Sequence, residues 1–294
     1  MDAAVYSKVK EGVDLLAVMA RNQINFFTDY DAILEIVKRG LAPQVFKIGD
    51  QIPTKWNDGS NEYDLPWDVV DFRNVVNANG NTVPGMILQA HWVLPGVQFD
   101  ASEASFVASS AIAPGTYYIE IGTTWGSNCV AGKKYEFTTT VEVPEGGQIV
   151  MTRSGTNQYA WGAPDQNPST WVVYTFSGPN SSTPLDSALT LTEYGVNDTP
   201  SSTKIGTLAS TQKYSTSGMN NLQRAAYGYN RWSQSALRQW LNSDAAANSW
   251  WSSCNPFDRC PQQLASMRGF MAGLDADFLG IVHPVKVTDR KSVV

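Results

Sequence analysis

The sequence predicts an α+β protein in which a few short helices accompany mainly antiparallel β-sheets. Only 16% of its 294 residues are charged, whereas 23 glycines and 15 prolines provide many turns. Period-two apolar patterns fill the middle of the chain, and helical periodicity is found near both ends. This combination favours a folded, turn-rich β-protein over a helical bundle or a disordered chain.

Residues 1–42 are predicted to form a helical segment. A first helix is indicated by the apolar spacing in YSKVKEGVDLLAVMARN. A second is indicated by TDYDAILEIVKRG, in which Thr28 or Asp29 is the N-cap and Gly40 is the stop signal. We expect this segment to pack on the body of the protein, to dock onto a larger assembly, or to bind a second copy of the chain.

The charge balance argues against two classes of partner. The 21 basic residues face 27 acidic ones, a net charge of −6, and no basic block interrupts this balance. Nucleic acid and anionic membrane surfaces are therefore not expected partners. The longest apolar run, Val13–Ala20, is short and contains Asp14, so we predict a helix core there, with no signal peptide and no transmembrane segment.

Period-two patterns predict strands from residue 43 onwards. Within residues 43–103 they are QVFKIGDQI, PWDVVDFRNVV and GMILQAHWVL, the last with the mixed pattern of a strand buried on both faces. Residues 103–178 are predicted to form a small antiparallel β-module with the strands TYYIEIGT, YEFTTTVEV, QIVMT and WVVYTF. The Ser/Thr/Asn-rich residues that follow are predicted to be exposed loop.

The last third of the chain is predicted to contain two helices and a closing strand. Their sequences are SQSALRQWLNS, PQQLASMRGFMAGL and DFLGIVHPVKV, respectively. Because large apolar side chains are usually buried, we expect four residues to anchor the first helix onto the sheet of residues 43–103. They are Trp232, Leu237, Trp240 and Leu241.

Two separated parts of the chain together resemble an uncharacterised domain family of gut bacteria and their phages. The first part contains FKIGDQI, LPWDVVDF, GMILQAHWVLP and FDASEA, and the second contains YNRWSQSALRQWLNS and GFMAGLDADFLGIVHPVKV. The family has an SxLRxWLN helix and a closing half that suggests a C-type-lectin-like fold. The resemblance implies a discontinuous lectin-like domain of residues 43–103 and 227–288, interrupted by residues 104–226 as an inserted β-module with loops.

The C-terminal end departs from the family pattern. The closing half of the lectin-like domain is absent after Val287. The final DRKSVV reads back into the codons of a common sequencing-adapter sequence followed by a stop. We therefore expect residues 289–294 to be a non-native tail on a C-terminally truncated domain.

No sequence pattern predicts catalysis, a cofactor or a metal. The carboxylates of Glu103, Glu120, Asp165 and Asp186 are scattered, and no nucleophile or phosphate-binding motif is present. KWND at Lys55–Asp58 and LDADF at Leu274–Phe278 could suggest calcium ligands, but turn chemistry explains both.

The histidines and cysteines are predicted to have no metal-binding role. His91 and His283 are too few for a zinc site, and we expect both to be structural. Cys254 and Cys260 enclose a short loop that could close a bridge, while Cys129 stands alone. We predict free thiols.

Aromatic residues in the loops of the β-module are candidate sugar contacts. Exposed aromatic rings stack on sugar rings, and neighbouring Asn, Asp, Ser and Thr side chains can bind sugar hydroxyls. The alternative is that two of the four candidates belong to the core. The candidates are Trp125, Tyr159, Trp161 and Trp171.

The residues and the resemblance together predict a non-enzymatic virion or surface protein of a phage. We expect it to be made in the host cytoplasm and to join other virion proteins, or form a homo-oligomer, through its N-terminal helices. It would form part of the particle exterior or recognise a bacterial surface glycan or protein. One alternative is a purely structural capsid or head-fibre component, and a third possibility is an enzyme that acts on surface glycans.

Overall fold

The chain forms two compact units in the computed structural model. The first comprises Met1–Pro95 with Gly273–Val293, and the second comprises Gly96–Ala272 with Val294. The fold is mixed α+β, mostly sheets with few helices, as the sequence predicts. The structure describes residues 8, 10, 26–92, 99–101, 103–124, 130–153, 171–181, 183–208, 228 and 232–283.

The described helices are short. They are α1 (Tyr30–Lys38), α2 (Ala42–Val45), α3 (Ala236–Leu241), α4 (Gln262–Ala265), α5 (Phe270–Gly273) and α6 (Ala276–Ile281). The described strands are β1 (Gln51–Ile52), β2 (Lys55–Asn57), β3 (Glu62–Asp64), β4 (Trp67–Val76), β5 (Thr82–Ala90), β6 (Phe106–Val107), β7 (Gly115–Ile121), β8 (Lys134–Thr139), β9 (Gln148–Arg153), β10 (Trp171–Phe176), β11 (Leu189–Thr190), β12 (Thr192–Tyr194) and β13 (Thr203–Leu208).

The first unit is built on the long antiparallel hairpin of β4 and β5. Strand β1 pairs with the other edge of β4, which gives a three-stranded sheet in the order β1-β4-β5. Strands β2 and β3 form a separate small hairpin. The register of β4 against β5 shifts between Val69 and Asp71, and such a bulge bends the strand and increases its twist.

Helix α1 is present as predicted, but the residues it buries are Ile33 and Ile36 rather than the expected stripe of Ile33, Leu34 and Val37. Asp29 caps the helix by accepting a 2.9 Å hydrogen bond from the backbone N–H of Ala32. Ile33 and Ile36 are buried on its inner face, and each fully buried aliphatic side chain stabilises the fold by about 1.5–3 kcal/mol. They share one core with Ala42, Phe46, Ile52, Val69 and Phe278.

The second unit contains a β-sandwich. One sheet has the order β11-β10-β9-β6, and the other has the order β12-β8-β7-β13, in which β13 pairs in parallel with β7. Inward-facing side chains of both sheets meet in a single core. Alternation along β7 follows the prediction, because Ile119 and Ile121 are buried while Tyr118 and Glu120 face outward.

Three predicted elements in the first unit are corrected. QVFKIGDQI is mostly not a strand, since Pro43 lies in the first turn of α2 and only Gln51–Ile52 pair as β1. Strand β5 is partly exposed rather than buried on both faces, because only the face with Met86 and Leu88 packs on the core. The described part of DFLGIVHPVKV forms α6, since Asp275 caps a helix by accepting from the N–H groups of Asp277 and Phe278.

Two predictions in the second unit are corrected as well. The single helix expected in PQQLASMRGFMAGL is divided into α4 and α5, which flank Gly269. The polar residues after 178 contain β11, β12 and β13 in addition to loops, because these short strands complete the two sheets.

The observed units are bounded differently from the predicted domains. Residues 43–95 fall in the first unit, and residues 96–272 fall in the second. Helix α3 therefore belongs to the same unit as the β-sandwich, whereas the β1-β4-β5 sheet belongs to the other. The predicted tail, 289–294, lies outside the described residues, as do most of the first 25 positions.

Candidate functional site

A row of polar side chains crosses the outward face of the sheet in the first unit. Asp68 lies opposite Gln51 on one neighbouring strand and opposite Gln89 on the other. Directly opposed residues point to the same face of a sheet. The adjacent pairs, Ile52–Trp67 and Val69–Leu88, contribute to the core on the other face. We call Gln51, Asp68 and Gln89 the polar row.

His91 is held against the polar row. Its Nδ1 lies 2.8 Å from Asp68 Oδ2, and Gln51 Nε2 donates to Asp68 Oδ1 at 3.0 Å. The hydrogen bond from His91 is the main reason that the pKa of the Asp68 carboxyl lies below its usual value. Since a carboxylate only accepts hydrogen bonds, Nδ1 carries the hydrogen, and Nε2 of the neutral ring is left as an acceptor.

Trp92 stands beside this histidine with an exposed indole. Its side chain is 58% exposed, which is unusual for the largest apolar side chain. The His91 and Trp92 rings meet edge to face, with centroids 4.5 Å apart. We call the polar row together with His91 and Trp92 the Trp92 surface.

The Trp92 surface has hydrogen-bonding groups that the described part of the chain does not use. Among the described residues, none hydrogen-bonds to His91 Nε2, Gln51 Oε1 or Trp92 Nε1. In the same part of the chain, no serine, threonine or cysteine side chain hydrogen-bonds to His91, and no group of three His, Cys, Asp or Glu side chains could hold a metal. The groups without a described partner are two acceptors, His91 Nε2 and Gln51 Oε1, and one donor, Trp92 Nε1–H.

The first unit also has an apolar groove of about 490 Å³ between α1, the β4–β5 hairpin and the end of α6. Its few polar side chains include Lys38, Asn77 and His283, so His283 borders a groove rather than a metal site. A polar small molecule needs polar side chains that fix its orientation, and the groove has few of them. It therefore suits an apolar protein segment better. Its apolar lining is Leu34, Val37, Val75, Ala78, Val83, Pro84, Met86, Ile87 and Ile281.

Asp58, in the KWND segment, is a structural acceptor. It accepts hydrogen bonds from the backbone N–H groups of Ser60 and Asn61 at 2.6 and 2.7 Å, and from Tyr63 Oη at 3.1 Å. Burial alone would raise the pKa of Asp58, but these hydrogen bonds outweigh it and lower the pKa. The predicted turn chemistry explains the residue without calcium.

The other candidate carboxylates are also held in local contacts. Asp186 accepts from the Thr139 hydroxyl and from the N–H and hydroxyl of Thr140, which outweighs its burial and lowers its pKa. Glu120 pairs with Lys204 at 2.7 Å, and Asp275 is the N-cap of α6. Glu103 is buried and Asp165 lies outside the described residues.

The predicted sugar contact at Trp171 is wrong. This side chain is 3% exposed and packs against Tyr135 in the core of the β-sandwich, with centroids 5.6 Å apart. A ring enclosed between two sheets cannot stack on a ligand. Trp125, Tyr159 and Trp161 lie outside the described residues, so their proposed role stays a prediction.

The predicted anchor helix is present but has different partners. Trp240 is buried, donates from Nε1 to the backbone oxygen of Arg268 at 3.0 Å, and meets Phe270 edge to face. Leu237 and Leu241 are partly buried, as is Trp232, which lies near Phe99. The helix therefore packs on α5 of its own unit, and the expected anchor on the sheet of the first unit is corrected.

The two described cysteines are free thiols, as predicted. Cys254 is exposed and Cys260 is buried, and burial raises the pKa of the Cys260 thiol to about 12. A thiol with such a pKa stays protonated at neutral pH and is a poor nucleophile. Cys129 lies outside the described residues.

Sequence reasoning missed the Trp92 surface. The HW pair that ends the predicted strand was visible in the sequence, but the mixed patterns of β4 and β5 do not show which polar residues share the outward face. We expected His91 to be structural, because the sequence does not show which carboxylate its ring meets.

The chain matches no family model, and no curated protein or solved structure is significantly similar to it. In the part of the chain that the structure describes, every helix is too short or too polar to cross a bilayer. Function is therefore inferred from the surfaces of the two units.

Proposed function

We propose that the protein is a non-enzymatic surface component of a phage particle and that it recognises the bacterial host. The observation that carries this proposal is the Trp92 surface, which exposes an indole beside polar groups to which no described residue hydrogen-bonds. Exposed aromatic side chains with fixed polar neighbours dominate the energetics of recognition sites. The phage context rests on the resemblance of the SALRQWLNS segment to the SxLRxWLN helix.

Recognition is supported over catalysis by what surrounds the Asp68–His91 pair. A histidine that is oriented by a carboxylate acts in catalysis when its ring can exchange a proton with a nucleophile, a metal-bound water or a substrate. The described neighbours of the pair are Gln51 and Trp92, and neither can act as a nucleophile. Turnover of any host surface glycan by the purified protein would contradict this part of the proposal.

The experiment uses phage particles that encode this chain and the purified protein. We expect mass spectrometry to detect the chain in purified particles, and excess purified protein to reduce adsorption of the particles to host cells. Detection of the chain in the infected cell but not in the particle would overturn the proposal.

A purely structural capsid or head-fibre role is the second candidate, and the apolar groove favours it. In that case, an aspartate in place of Leu34 or Met86, which line the groove, would prevent incorporation into particles. The purified protein would then leave adsorption unchanged. The exposed substitution Asp31→Asn, in the same helix α1, is the matched control.

The C-type-lectin-like fold is proposed on the resemblance alone. The segments that would form it, residues 43–103 and 227–288, contribute to both observed units. A longer clone from the same source would test it, because a lectin-like domain requires those segments and the added residues to fold as one body.

A further inference from the structure

The polar row presents groups at the spacing of one sugar ring. Gln51, Asp68 and Gln89 lie side by side on three adjacent strands, and neighbouring strands are about 4.8 Å apart. Gln51, Asp68 and His91 are held by their mutual contacts, because Asp68 accepts from both Gln51 and His91. A ligand that binds here meets side chains that are already ordered, which lowers the entropic cost of binding.

The groups to which no described residue hydrogen-bonds have the donors and acceptors needed to bind sugar hydroxyls. Trp92 Nε1–H donates, while His91 Nε2 and Gln51 Oε1 accept, and a sugar hydroxyl can satisfy either type. The exposed Trp92 ring adds an apolar surface of the size of a sugar ring. An apolar ring next to mixed donors and acceptors is the chemistry of a sugar, which has apolar C–H faces and a polar rim.

The charge of the surface excludes an anionic ligand. The carboxylate of Asp68 lies at the centre of the row, and no lysine or arginine of the described chain pairs with it. A phosphate or an acidic sugar would therefore be repelled. A metal-bridged sugar is not supported either, since the described residues contain no group of side chains that could hold a metal.

We propose that the Trp92 surface binds a neutral hexose unit of a glycan, with Trp92 stacking on the sugar ring and the polar row and His91 binding its hydroxyls. The host surface as the source of the glycan rests on the proposed function. The site lies in the first unit, and its residues differ from the four aromatic residues that the sequence suggested as sugar contacts.

The test is binding of the purified full chain to an array of bacterial surface glycans, followed by titration with the methyl glycosides of glucose, galactose and mannose. Trp92→Ala should weaken binding roughly tenfold or more, which is typical of an aromatic residue at the centre of a site. Trp92→Phe should weaken binding less than Trp92→Ala does, because a six-membered ring remains to stack on the sugar although the pyrrole ring and the indole N–H donor are lost. Asp68→Asn should weaken binding, because a single amide oxygen cannot accept from Gln51 and His91 as the two carboxylate oxygens do.

The matched control is Val196→Ala, which shortens another exposed apolar side chain, in the second unit, and should leave glycan binding unchanged. Circular dichroism of each variant verifies that the fold is retained. The inference is overturned if no neutral glycan binds, if Trp92→Ala binds as well as the unmodified chain, or if acidic glycans bind better than neutral ones. Host cells that bind the chain through Trp92 while the glycan array stays negative indicate a protein receptor, which also overturns it.

The two proposals fail in different ways. Glycan binding that depends on Trp92, in a chain absent from particles, would refute the phage function and leave the sugar site standing. Inhibition of phage adsorption by both the unmodified chain and Trp92→Ala would refute the sugar site and leave host recognition standing.

Discussion

Arg259 is a charged side chain with only 2% exposure. Its Nη1 donates to Gln148 Oε1 at 2.8 Å, and its guanidinium lies 3.9 Å from the centre of the Phe176 ring. Gln148 Nε2 in turn donates to the backbone oxygens of Pro256 and Asp258. Through these contacts, the loop of residues 254–260 packs on the face of strands β9 and β10 that points away from the core of the β-sandwich.

We expect Arg259→Ala to lower the free energy of unfolding of the second unit by about 1–3 kcal/mol, because it leaves the buried amide oxygen of Gln148 without this donor. Urea unfolding followed by circular dichroism measures the change. The exposed Arg238, changed to alanine, should alter stability by no more than about 0.5 kcal/mol. If both variants lose only a similar small amount of unfolding free energy, the network of Arg259 and Gln148 does not contribute to stability.

The tryptophans show how far single residues can be assigned from sequence. Trp240 was predicted to be buried and is buried, since it lies in the apolar stripe of an amphipathic helix. Trp171 was predicted to contact a ligand, yet it packs on Tyr135. The side chain of a residue at the boundary between a loop and a strand can point into the core or into solvent. Its direction depends on a packing partner on a strand that is distant in sequence.

Helices α4 and α5 are separated by a close approach of two backbone segments. A Cβ at Gly269 would lie 2.2 Å from the backbone oxygen of Ser243. The N–H groups of Gly269 and Met271 donate to the oxygens of Ala245 and Ser243, respectively. The chain here bonds to another segment instead of continuing the helix.

We expect Gly269→Ala to destabilise the second unit by about 1–3 kcal/mol, because the new methyl group forces two backbones apart. Gly280→Ala is the matched comparison, since Gly280 lies inside α6 with nothing within 4 Å of its would-be Cβ. It should stabilise the first unit by about 0.5–1 kcal/mol. Thermal unfolding of both variants measures the shifts, and a stable Gly269→Ala protein would refute the close approach.

The strands show which elements a sequence can predict. Strands β7 to β10 alternate strictly or are continuously apolar, and the structure has them where they were predicted. Strand β13 was missed, because its sequence, TKIGTL, is polar and short. Its pairing with β7 provides hydrogen-bond partners for the backbone groups at the edge of β7. A segment with little strand propensity of its own can form a strand when it pairs with such an edge.

Both units contain a carboxylate that is stabilised in its charged form. The pKa values of Asp58 in the first unit and Asp186 in the second lie below the ordinary value of 3.8, because hydrogen bonds outweigh the effect of burial. A lowered folded-state pKa means that the unfolded chain binds protons more readily. The stability from these groups is therefore complete above the ordinary value and is lost as the pH falls through the lowered one.

We expect both units to lose stability in acid, mainly below about pH 4. Asp58→Asn and Asp186→Asn should each reduce stability at neutral pH and flatten the acid dependence of the unit concerned. Urea unfolding at several pH values measures this, with Asp31→Asn as an exposed control. Parallel pH profiles for the variants and the unmodified protein would contradict the assignment.

The sequence by itself determined the α+β class, the capped helix α1, the hairpin β4–β5 and the strands of the β-module. These features depend on local periodicity and on capping and turn residues, which act between near neighbours in the chain. Only the tertiary structure decided that helix α3 packs on α5, that β13 completes a sheet, and that Gln51, Asp68 and His91 meet beside Trp92. Each of these depends on pairing between residues far apart in sequence, which residue pattern alone does not encode.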